Sequence, residues 1–272
     1  MIDKVKDYAH FGRQLINGER LKHERWIAEL RHADLVPHLE EKNPLAVLDL
    51  ANGQLQPQYK ILRAQGHHVY GIDMVNHPKR GWRDCAYVIA RRLYTRKLQP
   101  TYSKFDDTLI CGDVSILPFH DQSFDLVTSV AAFEHFLDVP AVLRETHRVL
   151  RSGGMLWALV HLFSSPSGGH NFNLSEIPLR NIPRGIDPWD HLRKRRLPFH
   201  VPLNEWRRDQ YLEEFQKHFE ILKHYCAMRE GEHLLTPQIE NELSDFSRDE
   251  LTSGAYVIVG RKPLSTSCRD HT

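Results

Sequence analysis

The sequence predicts a doubly wound α/β fold: a mostly parallel sheet with an antiparallel last strand, helices on both faces, an N-terminal helical extension and a long lid-like insertion. Three observations carry this reading. From Leu45 to Phe163, short apolar runs alternate with helical stretches at the spacing of strand–helix–strand units. Parallel strands need such crossovers, because a two-residue turn joins only antiparallel neighbours. Three successive runs end on an acid, Asp49, Asp73 and Asp113, at the sheet edge where open α/β folds bind ligands. Past residue 211, two further β-rich runs, "FEILKHYCAM" and "GAYVIVGRKP", resume the sheet as a hairpin-like pair.

Taken in order, residues 1–43 read as helical, with Trp26, Ile27, Leu30, Leu35 and Val36 among charges and "KNP" closing the segment. "LAVLDL" is the first strand, "PQYKILRAQG" a helix ending at Gly66, and "HHVYGIDM" the second strand. After an insert come "TLICGDV" and "FDLVTSVAAF" as the third and fourth strands. A helix through "VPAVLRETHRVL", a turn at "RSGG" and a fifth strand at "MLWALVHLF" follow. Residues 164–211 are rich in Pro, Gly, His and aromatics, with little periodicity. Loops of this length in compact domains tend to be lids or binding loops. The organisation expected is therefore an extension over 1–43, a core from 44–163 and 212–263, a substrate-side insertion over 164–211 and a disordered tail over 264–272.

Composition narrows the function. A chain of 272 residues can bury a sizeable core, and 36 Lys+Arg against 35 Asp+Glu leave no global field to draw nucleic acid or an anionic membrane. No stretch approaches the roughly 20 apolar residues of a spanning helix. The four cysteines, Cys85, Cys111, Cys226 and Cys268, form no CxxC pair, so neither a zinc ribbon nor a dithiol redox motif is indicated, and the cytoplasm is the expected location. There are 18 histidines but no HExxH, and no metal is expected. The GxGxxG and P-loop patterns are absent, which argues against NAD, FAD and a nucleoside triphosphate.

The strand ends hold the candidate binding residues. An acid ending the second strand, Asp73, is placed to accept both ribose hydroxyls of an adenosine. Asp113, after Gly112 at the third strand end, can accept the exocyclic amine of adenine, with Met74 and Val114 as apolar faces for the ring. After the first strand come Asp49, Ala51, Asn52 and Gly53, and the fourth runs into Val130, Ala131 and the "FEHF" that contains His135.

The series "VLDLANGQL", "VYGIDM", "ICGDVSILPFHDQSFDLVTSVAAFEHF" and "LRETHRVLRSGGML" resembles the class I S-adenosylmethionine-dependent methyltransferases, in the type 11-like branch where "GDxxxLPFxDxSFDxV", "EH" and "LRPGG" recur. The resemblance covers residues 45 to about 160, with Asp113, Leu117, Pro118, Phe119, Asp121, Ser123, Phe124 and Asp125 in register. It implies S-adenosylmethionine as cofactor, Asp73 on the ribose, Asp113 on the adenine amine, Met74 and Val114 around the ring, and main chain near Val130 and Ala131 on the methionine part. The departure is the loop after the first strand, where Ala51, Gly53 and Leu55 stand at the family's three glycine positions. Ala51 is a mild change if its φ is negative, whereas a Leu55 side chain must point away from the methionine moiety or occupy its space. Asn52, Gln54 and Gln56 offer amide hydrogen bonds to the cofactor carboxylate instead.

Methyl transfer from a sulfonium is an in-line displacement that needs alignment and exclusion of water. His135 and His161 are the candidate catalytic residues, as bases or positioning groups for an oxygen, in second place a nitrogen, nucleophile. His170, Trp189, His191 and Arg195 are candidates for contact with a small or medium-sized acceptor. Arg180 to Arg208 carries eight Lys/Arg against three acids, and Arg83 to Lys97 five against one, which suggests an anionic acceptor, a sugar-containing one included. Solvated surface charge is the competing explanation. Without an RNA module, nucleic acid is not favoured as a partner. Two readings remain open, an active methyltransferase and a degenerate methyltransferase fold serving as a binding or scaffold protein. Oligomeric state is not addressed by the sequence.

Overall fold

The structure is a computed structural model that describes residues 18–39, 43–53, 55–74, 93–94, 96–98, 108–170, 187–196, 198–199 and 201–264. The tail and most of the basic insert after the second strand lie outside the described residues, as do Arg180 and Arg184. The chain divides into two compact units, Met1–Asp113 and Val114–Thr272. Among the described residues no helix is long and apolar enough to cross a membrane.

The first unit opens with helix α1 (Glu19–Leu35), which buries Glu24, Ile27, Ala28, Arg31, Asp34 and Leu35. These positions recur at three- and four-residue spacing and form one face. That face is partly polar, and its charges are spent on helix α2 (Pro57–Ala64). Arg31 donates to Gln58 Oε1 at 2.9 Å, and Gln58 Nε2 donates to Glu24 Oε2 at 2.8 Å. Pro57 opens α2, where a missing N–H costs nothing, and Gly66 ends the turn after it with φ 91°. Strands β1 (Ala46–Leu50), β2 (His68–Asp73) and β3 (Leu109–Cys111) pair in parallel in the order 3-2-1. Their register, Asp49 opposite Gly71 and Asp73 opposite Cys111, sets the strand ends side by side. Tyr59 of α2 takes the Thr108 N–H at 3.1 Å and so ties the helix to the start of β3.

The second unit holds β4 (Phe124–Val130), helix α3 (Val139–Val149) and β5 (Leu150–His161). Asp138 caps α3 by accepting the Ala141 N–H at 2.9 Å, and Val139, Val142, Leu143, Thr146 and Val149 form its buried stripe. Then follow α4 (Asp190–Arg193), α5 (Arg208–Gln216), β6 (Glu220–Arg229), α6 (Pro237–Glu242), α7 (Arg248–Thr252) and β7 (Ser253–Arg261). β4 and β5 are parallel, and β7 lies antiparallel between β5 and β6, giving the order 4-5-7-6. Burial is nearly continuous from Met155 to Val160 and from Ser253 to Gly260, as expected for strands covered on both faces. The fold is thus α/β with a mostly parallel arrangement and one antiparallel strand, as the sequence predicts. Two short helices, α6 and α7, separate β6 from β7.

The "LPFHDQSFD" stretch, so specific in sequence, is fastened to α3 by two side chains, Arg148 and Glu145. Arg148 donates to the carbonyls of Leu117 and Phe119, to Asp121 at 2.7 Å and to Glu145, which in turn accepts the Leu117 N–H at 2.8 Å. Arg151 pairs with the buried Asp125 at 2.6 Å. The acids of this segment therefore hold a loop in place.

Candidate active site

The candidate site residues fall in both units, and each group is built by its own unit. In the first, β1 ends on Asp49, 2% exposed, whose Oδ2 is buried without a hydrogen-bond partner. Burial pushes its carboxyl up to about 7, against the opposing charge of Arg31 and the Tyr59 backbone N–H. Ala51 continues the ladder by donating to Ile72 O at 2.8 Å, with φ 49°. The sequence reading made Ala51 mild only at negative φ; the structure corrects that, because a left-handed residue with a Cβ costs about 1–2 kcal/mol. Gly53 has φ 65° and donates its N–H to Asp73 Oδ2 at 2.8 Å. A Cβ on Gly53 would meet nothing within 4 Å, so the loop is open on that side.

Asn52 is buried against β2, and a Cβ on Gly71 would come within 2.1 Å of its Nδ2. Gly71 is what lets the amide lie there, a role that sequence reasoning missed. Leu55 is half-buried, with its carbonyl held by Lys60 Nζ at 2.6 Å. Gln54 lies outside the described residues, and Gln56 is buried with φ 52°. Asp73 is half-buried at the end of β2, Asp113 is exposed just past the end of β3, Gly112 continues from β3, and Met74 is largely exposed. A buried carboxylate oxygen without a partner, an open loop and two accessible acids fit a ligand that carries a cationic amine and an adenosine.

In the second unit the 3₁₀ turn Phe133–His135 follows β4, with Val130 half-buried and Ala131 exposed in the connection. Asn204 grips this turn, donating through its side chain to the carbonyls of Phe133 at 2.8 Å and Phe136 at 3.0 Å. Glu134 is 1% exposed, and burial raises its carboxyl pKa, opposed by charge on His161 and His135. His161, at the end of β5, meets Ser167 Oγ at 2.7 Å, and Ser167 donates its backbone N–H to Glu230 at 3.1 Å. Burial would lower His161, but Glu230 and Glu134 outweigh it and the net shift is upward. Glu230 is held down at about 2: burial opposes this, and hydrogen bonds from His161 and Ser167 prevail. His170 stacks on both, with ring centroids 4.8 Å from His135 and 4.8 Å from His161, and burial with its histidine neighbours pushes it down to about 3. The structure thus brings His135, His161 and His170 together, and adds Glu134, Ser167 and Glu230. The "EH" pair was the only sequence signal for Glu134; the other two carried none.

Three substrate candidates have other employment. Trp189 is 1% exposed and donates its indole N–H to the carbonyls of Ser164 at 3.0 Å and Leu251 at 3.1 Å. His191 is buried on Phe163, bonded to that residue's carbonyl at 2.7 Å, and burial pushes it down to about 4. Arg195 pairs with Glu205 and lies over Phe199. The other described basic residues of that excursion are spent as well: Arg193 on Glu242, Lys194 on Asp187, Arg196 on Asp190, Arg207 on Glu250 and Arg208 on Asp249. Among the described residues, the basic side chains of this excursion are paired within the fold.

A methyltransferase-domain model matches residues 48–158. The demethylmenaquinone methyltransferase of Thermotoga maritima is 33% identical over 117 residues, 43% of each chain. The ajmaline N-methyltransferase of Rauvolfia serpentina is 35% identical over 80 residues, 29% of this chain and 28% of that one. The matched stretches span less than half the length of these curated relatives. Among solved structures, a chain of the Haloferax volcanii Trm112 methyltransferase activator complex superposes over 94% of this chain and 96% of its own, with a TM-score of 0.52 at 18% identity, a likeness of fold. Residues 48–158 thus match a methyltransferase domain, and the likeness to named methyltransferases supports a class I methyltransferase that uses S-adenosylmethionine as cofactor.

Proposed function

We propose that this protein transfers the methyl group of S-adenosylmethionine to an oxygen of a small or medium-sized acceptor. The observation that carries the reading is the loop after β1: Asp49 Oδ2 buried without a partner beside a backbone that Gly53 and Asp73 fasten open. When bound, the cofactor supplies an electrophilic methyl on a sulfonium. Asp49 holds the cationic amine, with Asn52 and the main chain of Ala51 and Gly53 around the methionine end. Asp73 takes the ribose, Asp113 the adenine amine, and Met74, Gly112 and Val114 line the ring, while Val130 and Ala131 offer main-chain groups.

On the acceptor side His135 and His161 orient the nucleophile. A hydroxyl sheds its proton on methylation, and the cluster of Glu134, Glu230 and three imidazoles offers acceptors for it. This supports oxygen over nitrogen. The paired basic side chains of the excursion give no support to an anionic acceptor, and the burial of Trp189 and His191 withdraws them from the acceptor's surface. The relatives' names, one a menaquinone precursor and one an alkaloid nitrogen, show that domains of this kind serve different acceptors. The scaffold reading leaned on Leu55, and the likeness to named methyltransferases does not favour it.

Calorimetric titration with S-adenosylmethionine and S-adenosylhomocysteine tests the proposal. Micromolar binding of both is expected. A folded sample that binds neither would overturn the reading.

A further inference from the structure

Glu134, His135 and His170 of the second unit each offer a ligand atom within 4.8 Å of the other two, and His135 Nε2 and His170 Nε2 are each 4.0 Å from Glu134 Oε1. That spacing exceeds the roughly 3.2 Å limit of a hydrogen bond, so the three do not satisfy each other. Glu134 Oε1 and His170 Nε2 are buried with no hydrogen-bond partner. Orphaned polar atoms are rare in folded proteins and call for an occupant, a water or an ion.

The supports around the three atoms resemble those around metal ligands. Pro202 O lies 2.9 Å from His135 Nδ1, and a carbonyl can only accept. The ring proton is therefore on Nδ1, and the Nε2 lone pair is turned toward Glu134. A metal-binding histidine is ordinarily fixed by such a donation from its other nitrogen. Glu134 is anchored on both sides: its backbone carbonyl accepts the Asn204 N–H at 2.9 Å, and its second oxygen lies 3.4 Å from the His161 N–H. Two imidazoles and one carboxylate are a borderline donor set that suits zinc, cobalt, iron or nickel better than magnesium or calcium. Bonds of about 2.0–2.2 Å in a tetrahedron put ligand atoms roughly 3.3 Å apart. The two Glu–His pairs would close by about 0.7 Å and the His135–His170 pair by up to about 1.5 Å, within reach of side-chain rotations.

We propose that Glu134, His135 and His170 bind one divalent transition-metal ion and leave coordination positions open. This reverses the absence of metal expected from sequence, where no spacing motif joins the "EH" pair to a histidine in a distant loop. An open site of this kind would take an acceptor oxygen and acidify it. That use rests on the methyl-transfer reading; the binding does not.

The test is titration of the chelator-stripped, full-length protein with Co²⁺, read by visible ligand-field absorption and by metal content after desalting, without cofactor. The expected result is one ion per chain, an absorption that Zn²⁺ abolishes, and at least about tenfold weaker binding in His170→Ala and in Glu134→Gln. His147→Ala, which alters a histidine remote in sequence from the three, should bind as the parent does. Circular dichroism checks that each variant is folded, and His135→Ala, at a half-exposed position, serves if a buried change unfolds the chain. No stoichiometric binding, or binding indifferent to all three ligand substitutions, would overturn the site. A protein that binds Co²⁺ but not S-adenosylmethionine would keep the metal site and lose the methyl-transfer reading.

Discussion

The Gly53 N–H donates to Asp73 Oδ2 at 2.8 Å, so the loop after β1 is fastened to the acid at the end of β2. In the proposed site one carboxylate would have two duties, fixing the loop and receiving a ribose. Asp73→Ala removes both, and the expected loss of S-adenosylmethionine affinity is at least about 1–3 kcal/mol, by the cost of deleting such an acceptor. Calorimetric titration checks it, and unchanged affinity would sink the ribose assignment.

Gly71→Ala places a Cβ within 2.1 Å of Asn52 Nδ2 and 2.9 Å of Leu109 Cδ2. Asn52 must leave its place beside the cofactor loop. Overpacking of this kind costs about 1–3 kcal/mol, and the variant should show both a lower unfolding midpoint and weaker cofactor binding. Stability lost with affinity retained would show that Asn52 has no part in binding.

Asp49 makes a prediction in pH. Its folded pKa, about 7, lies above that of the unfolded chain, so between about pH 4 and pH 7 the folded state holds a proton that the unfolded state releases. Stability contributed by this group therefore falls as pH rises through that window. Denaturant midpoints of the parent and of Asp49→Asn, taken at pH 5 and pH 8, should differ less between the two pH values in the variant. Equal differences would refute the shift.

Trp189→Phe tests whether the indole is a pin or a substrate platform. The variant strands two carbonyls, those of Ser164 and Leu251, and should lose about 1–3 kcal/mol of stability. Cofactor affinity and the KM of any acceptor found should stay as they were. A raised KM at unchanged stability would return Trp189 to the acceptor.

The first unit was the more legible in sequence because its signals are local. An apolar run followed by an acid announces a strand end: Asp73 closes β2, Asp49 is one residue short of the end of β1, and Asp113 follows β3 by two residues. The second unit was legible in its strands but not in its contacts. Asp121 and Asp125 were visible as members of a family pattern, yet their partners, Arg148 and Arg151, were not. Charge counting misjudged the excursion for the same reason, since Glu242, Glu250 and Asp249 lie far along the chain from the arginines they neutralise. Glu134, the pair Ser167 and His170, and Glu230 come from three separate segments, and only the fold gathers them. The conformation of Ala51 was beyond a sequence that shows residue type and not φ.

The position of β7 has a consequence for how the chain is made. Ser253–Arg261 is the last described strand to emerge during synthesis, yet it belongs in the slot between β5 and β6. Until it arrives, the nascent protein carries β5 with one ladder edge unmet and β6 with its partner still to be translated. Such edges are templates for pairing with other chains. The hazard of misassembly is therefore concentrated in the interval between translation of β6 and release of β7 from the ribosome, and a chain stalled there needs shielding that the finished molecule does not.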